Sequence, residues 1–165
     1  MVNLESARTF LRYSDWGNQQ LLKEAGRLND GQLDQPMAMG RGTLRSQLLH
    51  IWAGESVWLQ RWQGRTETPW PNEGEKAPVA AIAQRFETVY AERNRFLAPL
   101  TDAHLANVIT YRDSKGSLFK ATLADMITQA IAHSAHHRAQ VVNMIRQVGG
   151  QPPELDYMMW VRQPA

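Results

Sequence analysis

Three of the five histidines fall in one run, His133-Ser134-Ala135-His136-His137-Arg138-Ala139-Gln140. Neutral imidazole is the commonest protein ligand for transition metals. On a helix, His133 and His137 stand one turn apart on the same face, about 6 Å along the axis, which lets two nitrogens share one ion. His136 competes with His137, because a three-residue offset also brings two side chains together. The flanking residues favour His137. Two turns either side of His136 lie the polar Gln129 and Asn143, whereas the same offset from His137 reaches Ala130 and Met144. His137 therefore belongs to an inner stripe and His136 to its wetter margin, with His133 (between Met126 and Gln140) in between. Two imidazoles are too few for zinc or nickel, which take three or more protein ligands. His50, set in Leu48-Leu49-His50-Ile51-Trp52, is the third candidate, since an imidazole amid apolar surface needs partners for its nitrogens. It projects with the small residues Ser46, Ala53, Gly54 and Val57, a side expected to leave room for a substrate. The competing reading of any one of these histidines is a satisfied core or boundary residue. His104, in a short polar segment, reads as surface.

Positioning such a set requires neighbouring helices, and the sequence supplies four. The first spans about Leu4 to Leu28 and ends at Asn29-Asp30-Gly31, before a polar loop containing Pro36, Gly40 and Gly42. Thr43 is the expected N-cap of the second, with Gln47 one place later than a strict capping box. That helix runs to about Gln63 and stops at Gly64. It is apolar on more than one side, with Leu44, Leu48, Ile51, Trp52, Leu59 and Trp62 on one stripe and Leu49, Ala53 and Val57 off it. Burial on several sides follows, the second side being a candidate subunit contact. A Pro-rich stretch (Pro69, Pro71, Pro78) precedes a third helix over Val79 to Leu97, and Thr101-Asp102 caps a further short turn. Asn107 to Arg112 and Ser117 to Lys120 read as a small hairpin around the turn at 113–116. The last helix starts near Thr122 and ends at Gly149-Gly150, with Pro152 and Pro153 preventing continuation. Leu155, Tyr157, Met158, Met159 and Trp160 make the tail apolar enough to pack back on the bundle. Trp52, Trp58, Trp62 and Trp70 read as core or interface rather than as a cofactor box. Arg138 and Gln140 are candidates to orient ligands from behind, against the simpler reading of a solvated face.

Composition sets the outer limits. At 165 residues and 43% hydrophobic, the chain fits one domain, 1–165, with a real core. There is no cysteine, which excludes disulfides, thiolate ligands and a cysteine nucleophile; any sulfur in the chemistry arrives with a substrate. Glu5 and Arg8 break the order of a signal peptide, and no run reaches the roughly 18 apolar residues of a membrane span. A cytoplasmic protein with no membrane partner is expected. The formal charge is only +2, and eighteen basic residues are interspersed with sixteen acidic ones, so no basic stripe points to nucleic acid.

Several motifs together resemble the DinB/YfiT-like family of metal-dependent helical bundles. Tyr13-Ser-Asp-Trp16-Gly17-Asn18 with Leu21-Leu22 is similar to the family's opening Tyr-x-x-Trp-Ala-Asn signature, Gly17 standing for the usual Ala. Leu44 to Trp58, with His50, Glu55 and Trp58, is similar to its second-helix pattern. The run from His133 to Val141 resembles its His-x-x-His-His-Arg-Gly-Gln motif, with Ala139 for the usual Gly, and Gly149-Gly-Gln-Pro-Pro resembles its exit. The resemblance implies an all-α four-helix bundle of up-down-down-up order and, as a rule, a homodimer. It also implies a nickel or zinc ion on three histidines, here His50, His133 and His137. Characterised relatives include S-transferases and isomerases that use low-molecular-weight thiols; the family takes its name from a damage-inducible gene. The leading expectation is thus a metal-dependent transfer of a thiol onto a small electrophile, with hydrolysis as its variant. A non-catalytic metal-binding dimer is the rival. His136 and Glu55 are the candidates for a general base.

Overall fold

The computed structural model describes residues 3–164. Four long helices form the body: α1 (Leu4–Ala25), α3 (Leu44–Trp62), α4 (Val79–Leu97) and α5 (Leu123–Gln147). Two short helices, α2 (Asp30–Leu33) and α6 (Tyr157–Val161), and a hairpin of β1 (Val108–Arg112) and β2 (Leu118–Thr122) complete it. The hairpin strands are antiparallel, with Thr110 opposite Lys120, and a 3-10 turn over Asp102–Ala106 precedes them.

Side-chain caps fix where three of the four long helices begin; α4 starts after Pro78 without one. Asn3 accepts from the backbone N–H of Ser6, Thr43 from that of Ser46, and Thr122 from that of Asp125. Two expectations need correction here. The first helix ends at Ala25 rather than Leu28. Asn29, read as part of a terminator, instead opens α2: its side chain takes the Gln32 N–H while Gln32 returns a bond to the Asn29 backbone, a full capping box.

Two apolar clusters fill the bundle. One joins Leu21 and Leu22 of α1 to Leu44 and Leu48 of α3, Ile82 and Phe86 of α4, and Met144 and Ile145 of α5. The other joins Leu4 and Leu11 to Leu59 and Trp62, Val89 and Leu97, and Met126 and Ile127. The residue order along these clusters gives the directions. The start of α1 meets the ends of α3 and α4 and the start of α5, so α3 and α4 run antiparallel to α1, and α5 runs parallel to it. The order is up-down-down-up, with α3 packed between α4 and α5.

Between the clusters lies a buried polar layer. The Glu55 carboxylate accepts from Asn18 Nδ2 at 2.8 Å and Ser134 Oγ at 3.0 Å, and lies 3.4 Å from Arg93 Nη1. Arg93 also pairs with Asp15, and Arg138 donates to Ser14 Oγ. A buried charge without a partner is costly, and these charges meet one another or a hydroxyl.

Because α3 and α4 are parallel, no tight turn can join them. The chain must return along the length of α3, about 28 Å for its 19 residues. Residues 63–78 make that return as a strap. Together with α4 and α5 it covers α3 from within the same chain, and Leu49, Ala53 and Val57 are buried there. Arg45 of α3, 3% exposed, fastens the end of the strap by donating to Ala77 O at 2.7 Å while binding Asp34 at 2.7 Å.

Candidate metal centre

His50 lies in the first half of α3, and His133 and His137 in the middle of α5. The antiparallel packing of these two helices brings the three together: one ligand atom from each lies within 4.8 Å of the other two. The ring centroids of His50 and His133 are 4.4 Å from that of His137 and 5.0 Å from each other. His50 Nε2 and His137 Nε2 face each other at 3.1 Å. Two imidazole nitrogens on one tetrahedral zinc, each about 2.0–2.1 Å from it, stand about 3.3 Å apart. The spacing is that of adjacent ligands.

The outer nitrogens decide which tautomers are held. His50 Nδ1 lies 2.6 Å from Glu73 Oε1, a carboxylate that can only accept, so Nδ1 carries the proton and Nε2 a lone pair. His137 Nδ1 is met by Gln140 Oε1 at 2.7 Å and by Gln47 Nε2 at 2.8 Å. The carbonyl suits a protonated Nδ1 and the amide nitrogen a bare one. With the proton on Nδ1, His137 donates to Gln140, and two Nε2 lone pairs then point at each other across 3.1 Å. That arrangement repels unless a cation sits between them. His133 Nδ1 is buried without a hydrogen-bond partner among the described residues, a second mark of a donor set short of a cation. Burial, aided by the neighbouring His137 and His50, pushes the His133 imidazole down to about 3. Burial lowers His137 as well, the Gln140 bond pulling part of the way back. Both are therefore held in the neutral, ligating form.

The small-residue side of α3 does not leave the space that was expected. A Cβ on Gly54 would stand 2.5 Å from His133 Cε1 and 2.9 Å from its Nδ1. The missing side chain is the seat of the His133 ring, not room for a substrate. Gly40 does the same for the loop before α3. Its φ is +52°, and a Cβ there would collide with the Gln47 amide and lie 3.0 Å from Gln140 Oε1.

His136 is exposed at the margin, its ring 4.9 Å from His137 and its Nε2 3.2 Å from Gln140 Nε2. His104 caps the 3-10 turn by meeting the Thr101 backbone N–H at 3.0 Å. Arg138 lies 4% exposed against α1 rather than on a solvated face. Glu55 is occupied within the polar layer. Of the tryptophans, Trp62 is core, while Trp70 is 36% exposed with its ring 5.5 Å from His50 and its indole N–H on Glu73 Oε1. Sequence reasoning missed Glu73 and the role of Gln47. Gln47 sits one place beyond a capping-box position, and its Oε1 accepts from the Arg41 backbone N–H at 2.8 Å. The only local signal for Glu73 is an acidic residue three places after a tryptophan in a Pro-rich segment.

Among solved structures, the chain is similar to a DinB-like protein from Bacillus cereus ATCC 10987, with TM-score 0.74 and 23% identity over 92% of this chain and 97% of that one. It is similar to YfiT from Bacillus subtilis, with TM-score 0.71 and 19% identity over 90% and 91%. YfiT is described as a probable metal-dependent hydrolase with an unusual four-helix bundle topology. Protein DinB of Bacillus subtilis (strain 168) is 19% identical over 154 residues, 90% of each chain. The DinB family matches residues 1–164, essentially the whole sequence, and the chain belongs to that family.

Proposed function

We propose that this chain is a metal-dependent enzyme that holds one divalent ion, nickel or zinc, on His50, His133 and His137 and directs a small nucleophile onto a small electrophile. The convergence of three imidazoles, two of them with facing Nε2 atoms 3.1 Å apart, carries the reading. An ion on three uncharged ligands keeps its full charge and an open position, where it lowers the pKa of a water or a thiol. The chain's residues bind and orient: Glu73 holds His50, Gln140 holds His137, and Gly54 seats His133.

The nucleophile we favour is a low-molecular-weight thiol, as the resemblance implies. Hydrolysis is the second reading, favoured by the description of YfiT. Activating water asks more of a general base, since bulk water has a pKa near 15.7 and a thiol about 8.5. The two buried carboxylates nearest the ligand-bearing turns are already engaged, Glu55 with Asn18 and Ser134, and Glu73 with His50 and Trp70. That favours the nucleophile needing less help.

The test is turnover by metal-loaded protein offered a panel of thiols with an activated aryl halide or epoxide, beside ester and amide substrates without thiol. Thiol-dependent product formation that His137→Ala abolishes is the expected result. Product without thiol selects hydrolysis. Neither activity, in protein that retains its ion, selects the non-catalytic metal-binding module.

A further inference from the structure

Glu73 sits on no helix or strand, yet it is 7% exposed. A carboxylate buried on an irregular strap is costly unless its oxygens are met. Three groups from three segments meet it. His50 Nδ1 of α3 lies 2.6 Å from Oε1, and the Trp70 indole N–H of the strap itself donates to the same oxygen. Arg41, from the loop before α3, meets Oε2 as an ion pair, its Nε 2.8 Å away, though that oxygen has no hydrogen bond among the described residues. The backbone N–H of Arg41 in turn donates to Gln47 Oε1 at 2.8 Å, and the Gln47 amide nitrogen reaches His137 Nδ1 at 2.8 Å. A run of polar contacts, His50–Glu73–Arg41–Gln47, thus starts at the outer nitrogen of His50 and ends with the Gln47 amide beside His137. Apart from His137 itself, all of it comes from chain outside α5.

We infer that Glu73 is the positioning residue of this centre. By accepting the Nδ1 proton of His50 it fixes the tautomer whose Nε2 faces the other two rings. Because it belongs to the strap, docking of residues 63–78 and binding of the ion stabilise each other. The inference rests on the proposed metal site. A carboxylate behind a ligating histidine commonly sets metal affinity by about 10–100-fold, whereas an anchor serving the strap alone would leave affinity untouched.

The experiment uses full-length metal-free protein as wild type, Glu73→Gln, Glu73→Ala and His137→Ala. Zinc dissociation constants come from chelator competition, and cobalt(II) absorption spectra report the ligand field. Tryptic cleavage at Arg65 and Lys76, both exposed, follows the strap with and without zinc. Glu73→Gln is expected to weaken zinc binding about 10–100-fold and alter the cobalt spectrum. Zinc should slow strap cleavage several-fold in wild type and much less in the variant. Circular dichroism and the metal-free melting temperature check folding, and Glu73→Gln, nearly isosteric, serves if Glu73→Ala does not fold. A Glu73→Gln protein with wild-type zinc affinity and cobalt spectrum overturns the inference while leaving the metal site standing, provided His137→Ala loses binding. A wild type that takes up no ion overturns both.

Discussion

At the scale of single residues, the site is a balance between burial and charge. His133 lies in the bundle with an unpartnered nitrogen, and its imidazole resists protonation down to about 3, against an ordinary 6.5. The sign of the stability effect follows. Below 6.5 the unfolded chain takes up a proton that the folded chain refuses, so metal-free protein loses stability as pH falls from 6.5 towards 3. Asp15 acts in the opposite sense. Burial pushes its carboxyl up to about 6 from 3.8, with the Arg93 charge pulling part of the way back. The folded state therefore holds that proton more tightly, and this group costs stability as pH rises from 3.8 through 6. The two effects overlap and partly cancel in wild type, so each is read by removing the other. In urea titrations of metal-free protein, Asp15→Asn should show a steeper loss of stability from pH 6.5 to 4 than wild type. His133→Phe should instead lose stability as pH rises from 4 to 6. Parallel pH profiles for all three proteins would contradict the assignment.

At the scale of elements, the histidines were legible because helical periodicity makes offsets of three and four residues physically meaningful. The His133–His137 pair, the cap Thr43, the start of the last helix near Thr122, the hairpin and the span of α4 all followed from local pattern. Glu73 did not, because a strap has no period. Its place is set by the parallel relation of α3 and α4, which sends the connection back across His50, and nothing local in Trp70-Pro-Asn-Glu73 encodes that. Gly54 was visible as a small residue, but its use was not, since only the helix–helix approach shows that the His133 ring fills the gap. Gly54→Ala tests that reading. A methyl group 2.5 Å from His133 Cε1 forces the ring away. Alanine also favours helix over glycine by about 1 kcal/mol, offsetting part of any packing loss. The expected result by calorimetry is a protein that folds with near-native stability without metal and binds zinc at least tenfold more weakly. Unchanged zinc affinity would show that the ring is not held by this contact.

For the whole molecule, the sequence supplied four helices but not how the buried charges would be satisfied. Asp15, Asn18, Glu55, Arg93, Ser134 and Arg138 come from four different helices, and their mutual pairing is a consequence of the up-down-down-up order. That layer divides the core in two and holds α1, α3, α4 and α5 in register at the level where the histidines meet. No described helix is long and apolar enough to cross a membrane. What the topology accomplishes is to bring His50 to residues more than eighty positions away, through one helix pair and one strap.

The most direct test of the central claim is the metal content of untagged protein by plasma mass spectrometry, with His50→Ala and His137→Ala purified in parallel. About one zinc or nickel per chain in wild type, lost from both variants while their helical content is kept, is the predicted result. Wild type that is metal-free and resists reloading, or variants that retain the ion, would contradict the three-histidine centre.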